Sequence, residues 1–456
     1  MNKDPICALC TPPGKGALAV IRLSGRGTRQ IARAVAPFLP KKLITQKVYI
    51  GEIKDEDQVI DQVVLTYFAE GHSFTGEETV EISCHGGDLI YSEILKLLIS
   101  VGARPAERGE FSFRAFMNGK MDLVQAEGLH QLIESQNKQA KQTALYQLQG
   151  RFSGELDILE TKWLDILSRL EADIDFSLEG LGTFSSSEVK KSLIELESQI
   201  QNVLSRYRPF ESLQKGFTVG LFGPSNVGKS TLFNRLIDED KSIVTDSAGT
   251  TRDVVEGFFS EKRLVLKDTA GFRESEEKAE KIGQKKTKEL FSQADFRLLI
   301  LDGSAPLPSD FKLYGESFQK GWVVWTKKDL CQGLTRKELF SFAQARFPVF
   351  FGKASFNDTF FLSSLTGEGV EELRNKLVSL NENSDVLVSN LRHFKNLQVM
   401  QESLSKALAL LKDSGGERDI ISLELREGLL ALYEITGKQL DDRILDNIFQ
   451  QFCIGK

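Results

Sequence analysis

Hydrophobic and polar positions follow three rhythms along the chain. From about residue 6 to residue 117, short apolar runs at 17–23, 63–68 and 79–83 read as strands, and an apolar-periodic stretch at 89–100 reads as a helix. From about 122 to 207 the texture is long and helical, rich in Gln, Glu, Lys, Leu and Ala, with few breakers before Gly180. Leu156, Leu159, Trp163, Ile166, Leu167 and Leu170 recur at three- and four-residue spacing, which predicts one buried face of an amphipathic helix in a bundle. From 215 to 380 strands and helices alternate, as in a parallel sheet with crossover helices. The runs at 217–222, 264–267, 298–301 and 322–325 are almost continuously apolar, as strands buried on both faces must be. Helical texture returns after about residue 383 and persists to the end.

Two helical stretches thus flank an α/β block. The ends of a compact domain commonly lie close together, so one domain can be inserted into another. The pattern predicts a multidomain α/β plus all-α chain: an α/β domain over 1–118, a first helical segment over 119–210, an inserted α/β domain over 215–380 and a second helical segment over 381–456. At 456 residues the chain is too long for one ordinary core, which fits this division.

Composition narrows the partners. The chain is 41% hydrophobic and 27% charged with a net charge of -6, which excludes a generally basic nucleic-acid coat but not a local basic face. Five scattered cysteines do not make a secreted disulfide framework, and Cys7 and Cys10 read as two unlinked thiols near a loose N-terminus. No signal peptide and no run of about 18 apolar residues is present, so a cytoplasmic protein with no membrane partner is expected. His72, His130 and His393 show no metal spacing, and Cys84 and His85, adjacent in a strand, point apart.

The chemistry is concentrated in the inserted block. GPSNVGKS at 223–230 fits the P-loop pattern and lies between an expected strand and a helix starting near Thr231. Gly223 and Gly228 let backbone N–H groups curl around phosphates, Lys229 neutralises the β- and γ-phosphates, and Ser230 offers its hydroxyl to Mg²⁺. DTAG at 268–271 ends the next buried strand, where Asp268 can hold the magnesium through water and Gly271 can meet the γ-phosphate. Thr251, on the loop between, is a second hydroxyl ligand for Mg²⁺. TKKD at 326–329 places Asp329 to accept two hydrogen bonds from guanine, which adenine cannot supply. Ser363 and Ser364 follow a further strand, as in the loop that contacts the guanine oxygen. Together these elements predict a Ras-like P-loop GTPase. Thr326 stands where asparagine is usual, in a position that mainly braces loops. Phe272 stands where Ras-like proteins place a water-orienting glutamine.

Asn226 in the P-loop, the loop Thr245 to Thr250, and GTTRD at 249–253 resemble the potassium-activated GTPases of tRNA modification and ribosome assembly. PPG at 12–14, IRLSG at 21–25, SFTGE at 73–77, HGG at 85–87, GEF at 109–111, NGKMD at 118–122, QAE at 125–127 and FCIGK at 452–456 extend the likeness. In family order they span the chain, and it resembles the MnmE/TrmE tRNA-modification GTPases.

The resemblance implies an N-terminal folate-binding domain that forms a homodimer, and a heterotetramer with a FAD- and NADH-dependent subunit of the MnmG/GidA type. That assembly adds an aminomethyl or carboxymethylaminomethyl group to C5 of the wobble uridine, position 34, of certain tRNAs. The one-carbon unit comes from a 5,6,7,8-tetrahydrofolate derivative. Folate contacts carried over are Arg22, Glu81, Lys120 and Lys456; the cations suit a glutamate tail and the carboxylate suits pterin amino groups. K⁺ would be held by Asn226 with Thr245, Ser247 and Thr250, and Mg²⁺ by Ser230 and Thr251. Glu280 would orient the attacking water, so the catalytic set is Glu280, Lys229 and Asn226, with Arg252 and Asp253 in the switch loop.

The implied GTP-binding set is Asn226, Val227, Gly228, Lys229, Ser230 and Thr231; Thr245, Asp246, Ser247, Ala248, Gly249, Thr250 and Thr251; Asp268, Thr269, Ala270 and Gly271; Thr326, Lys327 and Asp329; and Ser363 with Ser364. Cys453, beside the implied folate site, is expected to pack rather than to react, since no activating group is apparent. The competing reading is a GTPase switch that binds rRNA in ribosome assembly, which would call for a basic module or a second GTPase domain.

Overall fold

The computed structural model describes residues 4–178, 186–224, 226–238, 255–259, 264–268, 294–305, 321–331, 333, 335–346, 359–382, 386–411, 418–440 and 442–455. Contacts divide the chain into two compact units. The first comprises Met1–Glu134, Ala144–Ser205 and Leu391–Lys456, and the second Ser135–Thr143 and Arg206–Asn390.

The first unit opens with a sheet of order β3-β4-β5-β2-β1-β6. Its strands are β1 (Ile6–Leu9), β2 (Leu18–Ser24), β3 (Lys47–Asp55), β4 (Gln58–Phe68), β5 (Thr79–His85) and β6 (Arg104–Pro105). Neighbours run antiparallel except β1 with β6. Alternation along β2 shows how the sheet is covered: Ala19, Ile21 and Leu23 are buried, while Arg22 projects from the opposite face. Helices α1 (Thr28–Val35) and α2 (Asp88–Ser100) supply Ile31, Val35, Ile94 and Leu98 to the same core.

The expectation of a loose start is corrected here. Cys7 lies inside β1 and is 2% exposed, and burial pushes its thiol up to about 11. Four residues of β1 were too few to announce themselves by period. Cys10 lies beyond the strand, and its Sγ donates to the Gly455 carbonyl at 3.1 Å. Cys84 and His85 do point apart, the first buried and the second exposed.

Helices α3 (Glu110–Met117), α4 (Leu123–Glu134), α5 (Lys138–Leu148), α6 (Arg151–Leu178) and α7 (Ser186–Ser205) follow. The stripe from Leu156 to Leu170 on α6 is buried throughout. Trp163 at its centre is fully buried, and its indole N–H donates to the Leu425 carbonyl at 2.7 Å.

In the second unit α8 (Phe210–Lys215) leads into a sheet of order β12-β11-β10-β7-β9-β8. The strands are β7 (Phe217–Phe222), β8 (Val255–Phe259), β9 (Leu264–Asp268), β10 (Phe296–Asp302), β11 (Gly321–Thr326) and β12 (Thr359–Phe361). Only the β8–β9 pairing is antiparallel. Helix α9 (Lys229–Asp238) packs Leu232 and Leu236 onto Val219, Leu298 and Val324, while α10 (Arg336–Arg346) and α11 (Val370–Glu382) complete the described helices of this unit. The expected strands at 217–222, 264–267, 298–301 and 322–325 all lie within strands of this sheet.

The chain then returns to the first unit as α12 (Leu391–Leu410), α13 (Arg418–Thr436) and α14 (Asp442–Phe449). Helices α6, α7, α12 and α13 pack together. Gly428 on α13 lies so close to the Trp163 ring that no Cβ fits between them. Phe449 at the end of α14 meets Phe113 of α3 edge-on at 5.2 Å.

Candidate functional site

Loops at the carboxyl ends of the parallel strands β7, β11 and β12 build the site in the second unit, the position where open α/β sheets bind ligands. After β7 the chain turns at Gly223 with φ +147, against the Ile300 carbonyl, where any side chain would collide. Asn226 and Gly228 also have positive φ, 63° and 93°, so the loop curls inward before α9 begins at Lys229. Asparagine is one of the few side chains that tolerates the left-handed region. Lys229, 7% exposed, folds back to donate to the Gly223 carbonyl at 2.9 Å and the Pro224 carbonyl at 2.6 Å. Val227 is buried, while Asn226, Ser230 and Thr231 are exposed.

The loop after β11 is joined to this one through Thr326. Its hydroxyl, 1% exposed, lies within hydrogen-bond reach of the Val227 carbonyl in the P-loop and of the Leu301 carbonyl on β10 at 3.0 Å. A short hydroxyl thus braces two loops from the position where asparagine is usual. Lys327 takes positive φ and pairs with Asp302 at 2.6 Å. Burial tends to raise the Asp302 carboxyl, but Lys327 and Ser304 outweigh that and lower it. Asp329 is exposed and accepts a hydrogen bond from Ser363 in the loop after β12. Ser364 is buried beside it, with no hydrogen-bond partner for its hydroxyl among the described residues. The structure therefore brings together Asn226 to Thr231, Thr326, Lys327, Asp329, Ser363 and Ser364. Asp268 ends β9, in register with Leu221 of β7. Thr245, Asp246, Ser247, Ala248, Gly249, Thr250, Thr251, Arg252, Asp253, Thr269, Ala270, Gly271 and Glu280 lie outside the described residues.

A second constellation sits on the first unit. Arg22 and Glu81 are cross-strand partners on β2 and β5, and they form an ion pair of 2.8 Å on the face away from α1 and α2. Phe74 and Phe111 lie 5.0 and 5.5 Å from the guanidinium carbon. Lys120 donates to the Gly71 carbonyl at 3.0 Å, and its stem lies against Gly76. The C-terminal segment docks on the same sheet: Ile454 bridges Arg108, and Gly455 abuts Leu9 too closely for any side chain. Leu9 pairs with Ile21, one residue from Arg22. Lys456 lies outside the described residues. Cys453 is exposed, which corrects the expectation that it packs: its carbonyl, not its thiol, is turned inward, accepting from the Gly109 N–H at 3.5 Å.

Comparison with known proteins extends over both units. A family model described as the MnmE helical domain matches residues 123–453, and one described as the GTP-binding protein TrmE N-terminus matches residues 5–120. A protein of Bdellovibrio bacteriovorus named tRNA modification GTPase MnmE is 39% identical, over 100% of this chain and 98% of its own. One of the same name from Natranaerobius thermophilus is 35% identical over 100% of both. The chain belongs to the MnmE family of tRNA modification GTPases. Among solved structures, the G domain of the T. maritima FeoB iron transporter is 30% identical, covering 36% of this chain and 97% of that one. Its TM-score of 0.26 is too low to carry a structural likeness.

Within this MnmE-family chain, one group of charged residues escaped the sequence reading. Glu127, seen only as part of a motif, is 8% exposed at its side chain, and one of its oxygens lies 2.5 Å from Nε2 of the fully buried His393. Arg392 reaches the same oxygen at 2.8 Å. Burial alone would raise the Glu127 carboxyl, yet His393 and Arg392 outweigh it and hold it at about 2. Burial lowers His393 despite the carboxylate beside it. Its Nδ1 is buried with no hydrogen-bond partner among the described residues. A neutral ring donating from Nε2 fits that geometry, because an imidazolium would strand a second N–H. Adjacent arginine and histidine 265 and 266 residues from their acid leave no local pattern to find.

Proposed function

We propose that this chain is a potassium-activated GTP hydrolase that, with a flavin-dependent partner subunit, drives folate-dependent addition of an aminomethyl or carboxymethylaminomethyl group to C5 of the wobble uridine of certain tRNAs. Membership of the MnmE family makes it a GTPase of tRNA modification. The observation that carries the nucleotide reading is the Thr326 link between phosphate loop and base loop, with Asp329 and Ser363 meeting at the base end. A guanine edge donating to Asp329 is thereby tied to the loop that grips the phosphates, and a wrong base leaves that carboxylate unpaired.

The P-loop residues suit the ions this reading requires. Asn226, exposed on a left-handed turn, presents a neutral oxygen donor for K⁺, and Ser230 presents a hydroxyl for Mg²⁺ at the first turn of α9. Held by these residues, the two cations would supply positive charge beside the phosphates. Lys229 exchanges its bonds to the Gly223 and Pro224 carbonyls for phosphate oxygens, and the loop N–H groups orient the chain of phosphates. Thr245, Ser247 and Thr250 for K⁺, Thr251 for Mg²⁺ and Glu280 for the attacking water complete the proposal. On the first unit, Arg22 and Glu81 form a half-exposed pair able to take a glutamate carboxylate and pterin amino groups respectively, with Lys120 and Lys456 as further cations. A homodimer through this domain is part of the same reading.

Hydrolysis measured in K⁺ against Na⁺, with Asn226→Ala alongside, tests the ion. Faster turnover in K⁺ that the variant abolishes is expected; equal rates in the two salts remove the potassium proposal. For the modification, deletion of the gene should erase the modified wobble nucleoside from digested bulk tRNA by mass spectrometry. Persistence of that nucleoside would overturn the tRNA reading and favour a switch acting elsewhere.

A further inference from the structure

The chain passes from the first unit to the second after Glu134, returns at Ala144, leaves again at Arg206 and returns finally at Leu391. Arg392 and His393 are therefore the second and third residues of the final return, in the first turn of α12. Glu127 lies on α4, whose last residue is the first point of exit. One carboxylate holds both. Its Oε2 takes Arg392 Nη2 at 2.8 Å and His393 Nε2 at 2.5 Å, and its Oε1 lies 3.3 Å from Arg392 Nε. The remaining Arg392 nitrogen donates to the Glu434 carbonyl, and Nη2 also lies 3.4 Å from the Ile435 carbonyl, so the last turn of α13 joins the same knot. The Phe152 ring of α6 lies 5.6 Å from the imidazole.

This cluster has features that a solvated surface pair lacks. The carboxylate of Glu127 and the ring of His393 are shielded from water, and the half-buried Arg392 closes over them, so losing one geometry strands a buried group rather than exchanging it for solvent. Such an element has few intermediate arrangements, which is what a mechanical link between a nucleotide unit and its host needs. The bonds described for these residues all run within the first unit.

We propose that Glu127, through Arg392 and His393, is the positioning residue that couples the nucleotide state of the GTPase unit to the helical and N-terminal unit, by fixing the final return of the chain to the helix of its first exit. The use of that coupling in tRNA modification rests on the function proposed above. Glu127 takes no part in hydrolysis itself. Turning it into a neutral amide keeps the shape but removes the negative charge that gathers the Arg392 guanidinium and the His393 N–H, so nucleotide binding continues while its consequence stops at the junction.

Hydrogen exchange on the full chain tests this directly. Wild type loaded with GDP is compared with wild type loaded with a non-hydrolysable GTP analogue, and amides of 391–400 and 123–134 are followed. A change of at least threefold in exchange rate between the two nucleotides is expected in wild type and its loss in Glu127→Gln, with the kcat for GTP within twofold of wild type. His393→Gln, which retains an N–H donor toward the carboxylate, should keep the nucleotide-dependent change and serves as the readout if Glu127→Gln does not fold. Absence of any nucleotide-dependent change in wild type overturns the proposal, as does its survival in Glu127→Gln or its loss in His393→Gln. Wild type that shows the change yet leaves the wobble nucleoside unmodified with its partner sinks the tRNA reading and leaves the coupling standing.

Discussion

At the scale of single residues, Thr326 shows how a departure from a motif can keep the motif's purpose. The backbone of β11 brings its hydroxyl between two carbonyls on different loops, so one short side chain serves as a brace. Thr326→Val keeps the shape and strands buried acceptors, a loss of about 1–3 kcal/mol. GDP affinity should fall roughly tenfold, the equivalent of about 1.4 kcal/mol, while Thr326→Ser stays near wild type by titration calorimetry. If Val binds as tightly as Thr, the brace contributes nothing to nucleotide affinity. Asp329→Asn exchanges an acceptor for a donor at the base edge. Discrimination for guanine should drop by a factor on the order of 10² or more, read as competition of GTP with a nucleotide bearing a carbonyl at C2. Undiminished preference for GTP would remove Asp329 from base recognition.

Elements are decided by how far apart their contacts lie. The apolar stripe on α6 was legible because a 3.6-residue period is a local property, and every member of it is buried. The partner helix was not legible, because what makes α13 fit is a glycine against an indole 265 residues earlier. Gly428→Ala should destabilise the first unit by about 1–3 kcal/mol through overpacking against Trp163, measured as a lower urea midpoint at unchanged slope. An unaltered midpoint would mean that Trp163 can move aside, contrary to its buried bond to the Leu425 carbonyl. The same distinction explains the site. The P-loop and TKKD were read directly, since each is a contiguous run bounded by buried strands. The meeting of Asp329 with Ser363 depended on β11 and β12 being neighbours, and the Arg22–Glu81 pair on the register of β2 with β5. Resemblance supplied the residues of that pair, but not that they bind each other. Strands β1 and β3 were missed for different reasons: β1 spans four residues, and β3 is an edge strand whose Val48 and Ile50 face solvent.

For the whole molecule, the Glu127 cluster makes acid the condition that tests its integrity. Its carboxyl and its imidazole both have folded-state pKa values below their ordinary ones: His393 is pushed down from 6.5 chiefly by burial, and Glu127 from 4.5 to about 2 by His393 and Arg392 against burial. A depressed folded value means that the unfolded chain takes up the proton first, so stability falls as pH falls. The loss should begin as pH drops below about 6.5 through His393, and deepen below about 4.5 through Glu127. Asp122 also acts on His393, raising it, and Arg392 opposes protonation. Urea midpoints between pH 7.5 and pH 5 should decline in wild type and decline less in His393→Gln. Parallel curves would place the acid sensitivity elsewhere.

The interrupted path of the first unit also has a consequence for the order in which the molecule can be made. Its first strand rests against Gly455, and its helices α6 and α7 pack with segments that follow residue 390. During synthesis at about 5–20 residues per second, those early surfaces stay uncovered for tens of seconds while the nucleotide unit, nearly all of it contiguous from Arg206 to Asn390, emerges whole. The newborn chain can thus bind GTP before its host exists as a folded body. It is in that interval that exposed apolar faces of α6 and α7 most need a chaperone.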